Sequence, residues 1–282
     1  MTLLEARNLF RTQLTGLYVQ AEIDAIFKGC IAHYFQWESV VVGLYPQQQL
    51  QAEQETILTK ALKALEKAMP LQYVLGETQF CGLTIKVAPG VLIPRPETET
   101  LVEWVVGEHS ETPKKGVDLC TGSGCIALAL SKQRPSWQLT GFDLSDKALE
   151  IAQENARLNA LEVNWQQADV LQVDFSLPPC DFIVANPPYV LPAEKKQMHL
   201  NVLEHEPDIA LFVPEENPLL FYHAILHIAK RVLSPNGSVY FEINPLCLDT
   251  LLTIGKKLGF ALAEVKKDIF EKNRFVKFTC TV

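Results

Sequence analysis

The chain has 282 residues, with 25 Lys+Arg against 33 Asp+Glu and a net charge of −8. That length predicts one large domain or a large one with a small companion, and a content of 48% hydrophobic and 21% charged residues excludes disordered and low-complexity classes. No uncharged apolar run reaches the roughly 18 residues of a membrane span, MTLLEARNLFR is too short of apolar residues for a signal peptide, and the acidic balance disfavours a sequence-independent grip on nucleic acid.

Thr2 is placed to cap a first helix whose apolar residues Leu3, Leu4, Ala6, Leu9, Phe10 and Leu14 fall near helical spacing. Residues 21–34 repeat the pattern with Ile23, Ile26, Phe27, Cys30 and Ile31. Residues 51–69 repeat it again with Ile57, Leu58, Ala61, Leu62 and Leu65, until Pro70 stops it. A small helical bundle over residues 1–71 is the expected result. Residues 1–70 carry 6 Lys+Arg and 7 Asp+Glu, so −7 of the net charge falls on the remainder. Over residues 72–99, Gly76, Gly82, Pro89, Gly90, Pro94 and Pro96 break helices, while 78–81 and 83–87 read as strands of a β-hairpin linker.

From residue 100 onward strands and helices alternate. Strands are expected at 117–119, 138–144, 163–166, 181–185 and 238–243, with helices at 126–132, 145–159, 219–233 and 250–258. Ser145 is the cap of the second helix. Residues 262–269 and 275–282 read as a closing antiparallel pair. This alternation predicts an α/β domain over 100–282, with a mostly parallel sheet covered on both faces. Seven scattered cysteines without CxxC, and His223 and His227 without an acidic partner, predict no metal site and a reducing cytoplasm.

Asp118-Leu-Cys120-Thr121-Gly122-Ser123-Gly124 follows the first of these strands and opens a helix, where a phosphate- or nucleoside-binding loop belongs. It is neither GxGxxG nor GxxxxGKS/T. Gly122 and Gly124 would let the backbone approach a ligand. Asp143 ends the next strand, where a carboxylate can accept from both hydroxyls of a ribose. Asp169 follows the third, where an adenine edge could be read. Each alone is equally a turn residue or a strand-end acid; in order on consecutive strands they point to an adenosine-type ligand. Asn186-Pro187-Pro188-Tyr189 closes the fourth strand. The prolines remove two N–H donors, so the Pro187 carbonyl and the Asn186 side-chain oxygen are two acceptors beside the flat ring of Tyr189. Two acceptors and a ring suit a planar –NH2 group; the plain alternative is an Asn-Pro turn.

The pairing of DxxTGSG with NPPY resembles class I S-adenosylmethionine-dependent methyltransferases of planar amino nitrogens. Pro70-Leu-Gln-Tyr73-Val-Leu-Gly76, Val91-Leu-Ile-Pro94-Arg95-Pro96-Glu97-Thr98-Glu99 and the helical segment in front resemble the release-factor glutamine methyltransferases within them. The resemblance implies a seven-stranded, mostly parallel Rossmann-like sheet behind a small N-terminal helical bundle that docks the substrate. It implies methyl transfer from S-adenosylmethionine to the side-chain amide nitrogen of the Gln in a Gly-Gly-Gln tripeptide of peptide-chain release factors, leaving S-adenosylhomocysteine. Cys120, Thr121, Gly122, Ser123 and Gly124 would surround the cofactor, with Asp143 at the ribose, Asp169 and Val170 at the adenine, and Asn186 touching it as well. Asn186, Pro187, Pro188 and Tyr189 would hold the substrate, with Asn186, Pro187 and Tyr189 catalytic. The expected protein is a cytoplasmic monomer with no metal, no membrane and no direct nucleic-acid partner.

Glu206-Pro207 and Arg274 match family positions to which we attach no role. The family has Gly where this chain has Cys120, and often where it has Asn244. Two alternatives stand beside this reading. A ribosomal-protein glutamine methyltransferase would lack the RPETE form. An adenine-N6 nucleic-acid methyltransferase needs a basic track and base flipping, which the −7 after residue 70 opposes.

Overall fold

The computed structural model of the chain describes residues 1–172, 175 and 177–280, without the Leu262 side chain. One unit comprises Met1–Glu77 with His199–His205, and a second comprises Thr78–Met198 with the described residues from Glu206 on.

The first unit holds α1 (Leu3–Leu14), α2 (Gln20–Phe35), α3 (Val41–Leu44), α4 (Ala52–Leu65) and α5 (Leu71–Leu75). Thr2 caps α1 in a reciprocal box: its hydroxyl accepts from the Glu5 amide at 3.1 Å, and the Glu5 carboxylate accepts from the Thr2 amide at 2.8 Å. The stripe Leu3, Ala6, Phe10 and Leu14 packs into one core with Ile23, Phe27 and Ile31 of α2 and Leu58, Leu62 and Leu65 of α4. Phe10 and Phe27 meet edge to face at 5.1 Å. α4 stops at Leu65, short of the expected residue 69, because the chain turns through Ala68 at φ +56° ahead of Pro70. α5 takes up the start of the expected linker and closes on Gly76 at φ +80°, the left-handed stop that glycine permits. α3, four residues long, is too short to show a periodicity.

β1 (Glu77–Phe80) and β2 (Leu83–Lys86) form the expected hairpin. Its two-residue turn, Cys81-Gly82, has both φ values positive. Then come α6 (Thr98–Glu108), β3 (Lys115–Leu119), α7 (Cys125–Gln133), β4 (Gln138–Asp143), α8 (Asp146–Leu158), β5 (Asn164–Gln167), β6 (Cys180–Ala185), α9 (Leu200–His205), α10 (Asp208–Leu211), α11 (Leu220–Val232), β7 (Leu233–Glu242), α12 (Leu248–Lys257), β8 (Phe260–Lys267) and β9 (Asn273–Cys280). The seven-stranded sheet runs β5-β4-β3-β6-β7-β9-β8. All pairs up to β7 are parallel; β9 is antiparallel to both its neighbours. This is the mostly parallel α/β sheet expected above. Residues 281–282 of the expected last strand lie outside the described residues.

Further departures from expectation are α6 and the start of β7, beside α9 and α10, which no sequence pattern predicts. α6 falls where no helix is expected; it buries Leu101, Val102, Trp104 and Val105. β7 starts at Leu233 rather than 238, since Cys180 already pairs with Leu233 and a register shift carries the strand past Asn236 at φ +62°. The main core joins Val117, Leu119, Ile183, Val239, Phe241 and Phe278 of the sheet to Tyr222, Ile225, Leu226, Ala229 and Leu251 of α11 and α12. Each Val, Leu, Ile and Phe among them stabilises the fold by about 1.5–3 kcal/mol. Among the described residues no helix is long and apolar enough to cross a membrane. From β3 the chain progresses outward through β4 to β5, then returns to β6 on β3's other side. That reversal opens a crevice at the carboxyl ends of β3 and β6.

Candidate active site

A cleft lies at that switch point. Of the residues singled out in the sequence, Cys120, Thr121, Gly122, Ser123, Asp143, Asp169, Val170, Asn186 and Pro188 line it. Gly124, Pro187 and Tyr189 do not. Arg95 and Thr98 of the RPETE segment and Pro207, Ile209 and Ala210 complete one wall.

The loop after β3 is built from inside. Asp118 is 2% exposed. Its Oδ2 accepts from the Thr121 hydroxyl at 2.6 Å and from the Ala127 amide, in the first turn of α7, at 3.2 Å. One carboxylate therefore ties strand, loop and helix start together. Its Oδ1 is buried with no partner among the described residues. Burial pushes the Asp118 carboxyl up to about 7, against the pull of those two hydrogen bonds. Cys120, Gly122 and Gly124 all have positive φ, at 60°, 56° and 79°. At Cys120 the left-handed region costs a residue with a Cβ roughly 1–2 kcal/mol.

The two glycines are not equivalent. A Cβ on Gly122 would meet nothing within 4 Å, so this residue borders open cleft. A Cβ on Gly124 would lie 2.6 Å from Trp165 Cη2 and 3.0 Å from the Ala152 Cβ. Gly124 thus makes room for the β5 tryptophan rather than for a ligand.

Asp143 holds the loop from the next strand. Oδ2 accepts from the Gly122 amide at 2.8 Å and Oδ1 from the Ser145 amide at 2.9 Å. Each oxygen keeps a lone pair, and the plane of the carboxylate is fixed. Burial raises the Asp143 carboxyl, and these backbone amides hold it down. Asp169 accepts from the Leu171 amide at 2.9 Å and the Gln172 side chain at 3.4 Å, which shapes the turn beside buried Val170. Asn155 of α8, wholly buried, bonds Lys86 N at 2.6 Å, Lys86 O at 3.1 Å and Ser123 O at 2.9 Å. Its amide sits within the apolar stripe Leu149, Ala152 and Ala156. A polar residue on a buried face was the signal that sequence reading passed over.

At the end of β6, Asn186 lines the cleft, and Pro187 and Pro188 are buried. The Tyr189 hydroxyl donates to Glu242 Oε1 at 2.9 Å, and the Thr98 hydroxyl donates to Glu242 Oε2 at 2.6 Å. Burial pushes Glu242 up, while the two hydroxyls and the Arg274 charge pull it back. Asn244 has φ −71°, so no left-handed turn is needed there. Its Nδ2 donates to Tyr189 O at 3.1 Å and Glu194 at 2.7 Å. Arg274 braces the end of β7 through Ile243 O at 3.4 Å and Asp268 at 3.1 Å. Glu206, 5% exposed, accepts from Arg95 at 2.7 Å and Ile93 N at 3.2 Å. Among the described residues no group of three or more His, Cys, Asp or Glu could hold a metal ion.

Residues 96–207 match the family described as Methyltransferase small domain, and residues 5–76 match the PrmC N-terminal domain. Together with the strand order, this makes the protein a methyltransferase of the Rossmann-like class. A methyltransferase from Pyrococcus furiosus superimposes over 83% of this chain and 100% of its own, with TM-score 0.54 and 18% identity. A T. thermophilus 16S rRNA methyltransferase, solved in complex with AdoMet and guanosine, covers 73% of this chain and 50% of its own, with TM-score 0.52 and 19% identity; both share the fold. At higher identity, the release factor glutamine methyltransferase of Flavobacterium psychrophilum is 40% identical over 275 residues, 96% of either chain. That of Coxiella burnetii is 35% identical over 281 residues, 98% of either chain. The chain belongs to the release factor glutamine methyltransferase family.

Proposed function

We propose that this chain transfers a methyl group from S-adenosylmethionine to the side-chain amide nitrogen of the Gln in a Gly-Gly-Gln tripeptide of a peptide-chain release factor. The observation that carries the reading is the juxtaposition of Asn186 and Pro188 with Gly122, Asp143 and Asp169 in one cleft.

The residues present fit the cofactor. Asp143 keeps a lone pair on each oxygen for two ribose hydroxyls. Val170, Leu144 and Ala168 offer apolar walls for a base, with Asp169 at its edge. The open side of Gly122 leaves room for the methionine moiety, between Cys120, Thr121 and Ser123. Asp143 and Asp169 at the cleft place negative potential around a cationic group. Bound there, S-adenosylmethionine supplies a methyl group activated by its sulfonium.

The chain's own task is mainly geometric, because an amide nitrogen is a weak nucleophile whose lone pair is delocalised. Holding nitrogen in line with the methyl can lower the barrier by as much as about 7–11 kcal/mol. Asn186 Oδ1, at the cleft, accepts an amide N–H bond, and so stabilises positive charge as it develops on nitrogen. Tyr189, which does not line the cleft, supports Asn186 from behind through its hydroxyl bond to Glu242. The proton leaves to water after transfer. Residues 1–71 dock the release factor, so that remote contacts bring the loop Gln to the cleft.

The test is methyl-tritiated S-adenosylmethionine with purified release factor, followed by mass mapping. Label on the Gly-Gly-Gln glutamine is expected. Label on RNA, or on a ribosomal protein alone, overturns the reading.

A further inference from the structure

Glu242 is a carboxylate at the end of a strand whose last six residues, 237–242, are all buried. Sheet packing alone would favour an apolar side chain there, since a buried charge costs free energy unless it is hydrogen-bonded. Both of its oxygens are engaged. One accepts from the Tyr189 hydroxyl at 2.9 Å, the other from the Thr98 hydroxyl at 2.6 Å. Two residues on, Asn244 donates to the Tyr189 carbonyl at 3.1 Å. The end of β7 therefore holds Tyr189 by its hydroxyl and by its backbone. Between Tyr189 and Asn186 stand two prolines with restricted φ, so the tetrapeptide moves as a stiff unit. Whatever fixes Tyr189 also fixes Asn186 at the cleft. Thr98, 2% exposed, also lines the cleft, and belongs to the RPETE segment.

We infer that Glu242 and Thr98 are positioning residues for methyl transfer: Thr98 orients the Glu242 carboxylate, which grips the Tyr189 hydroxyl and sets the Asn186–Tyr189 segment in register with the cofactor. The inference rests on the methyl-transfer reading above. It gives the RPETE threonine a task in the rate of the reaction rather than in cofactor affinity.

The experiment compares full-length Thr98→Val, Thr98→Ser, Tyr189→Phe and the Thr98→Val/Tyr189→Phe double variant. Steady-state methylation of purified release factor is measured with calorimetric binding of S-adenosylmethionine and melting temperature. Thr98→Val keeps the side-chain volume and removes only the hydroxyl. Its kcat is expected to fall about ten- to a hundredfold, the cost of a misplaced reacting group, with the cofactor Kd unchanged. Thr98→Ser should restore the rate. Because Thr98 acts only through Glu242 on Tyr189, the double variant should be no slower than Tyr189→Phe alone. Losses that multiply in the double variant, a wild-type kcat in Thr98→Val, or a Thr98→Ser as slow as Thr98→Val overturns the inference while the functional reading stands. A wild-type chain that transfers no methyl to a release factor overturns the functional reading and the inference with it.

Discussion

Asn186 is the residue on which the proposed chemistry depends most. Removing one acceptor aimed at developing charge typically costs about 10²–10³ in rate. Asn186→Ala should lose kcat on that scale while still binding S-adenosylmethionine in a calorimeter; a loss below about threefold would exclude the role. The loop glycines make a paired prediction. Gly124→Ala drives a methyl into Trp165 and should destabilise by about 1–3 kcal/mol of overpacking on top of the left-handed strain. Gly122→Ala carries only the strain, about 1 kcal/mol, but puts its methyl into the cleft, so it should weaken cofactor binding more than Gly124→Ala does. Thermal melts and titrations separate the two.

Asp118 adds a dependence on pH. Its carboxyl keeps a proton up to about 7 in the native state, against 3.8 for an ordinary Asp. The folded chain thus binds the extra proton between those values. Stability from this group is fully present below 3.8 and is lost as pH rises through about 7. Asp143 and Glu242, raised chiefly by burial, act in the same direction. The urea midpoint of the ligand-free chain should fall between about pH 5 and 7.5, and Asp118→Asn should flatten that slope. An unchanged slope would show that Asp118 ionises normally.

At the scale of elements, packing overrides local preference in definable places. Gly255 sits within α12, where Ala would improve helix propensity by about 1 kcal/mol. Yet a Cβ there would lie 2.1 Å from Cε1 of Phe278 on β9. Gly255→Ala should therefore lower the melting temperature, by roughly 2–4 °C for each kcal/mol of net overpacking; a rise would mean the helix can slide off the strand without cost. The same competition explains α6 and β7. The buried stripe of α6 follows a Pro-rich segment that reads as linker, and Pro235-Asn236-Gly237 in β7 reads as a turn. Pairing with β6 at Leu233 and again at Ser238 carries the strand across that unpaired stretch.

For the whole molecule, the distribution of charge and exposed apolar surface bears on how a protein substrate is met. Residues 1–70 are close to neutral, and the acidity falls on the part that would hold a cationic cofactor. In the first unit Val19, Leu44 and Tyr45 are 70%, 63% and 60% exposed, single large apolar side chains available to a partner. Replacing all three by Ser should raise KM for an intact release factor about tenfold, the scale of losing an interface anchor, and leave KM for a short Gly-Gly-Gln peptide unchanged. Equal effects on both substrates would assign those residues to folding rather than docking.

The sequence by itself determined what is carried by local spacing. The capped helices α1 and α8 follow from 3.6-residue periodicity and from Thr2 and Ser145. The order of strands around β3 puts Asp143, Asp169 and Asn186 at one edge of the sheet, because parallel strands in a right-handed winding end on the same side. Tertiary structure alone decided the pairs that join distant segments: Thr98 with Glu242 across 144 residues, and Arg95 with Glu206 across 111. No periodicity links such positions. It likewise decided that Gly124 yields space to Trp165 while Gly122 faces the cleft, and that Asn244 braces Tyr189 from extended backbone. Those outcomes depend on which side chain arrives from another strand, and only the closed sheet brings it there.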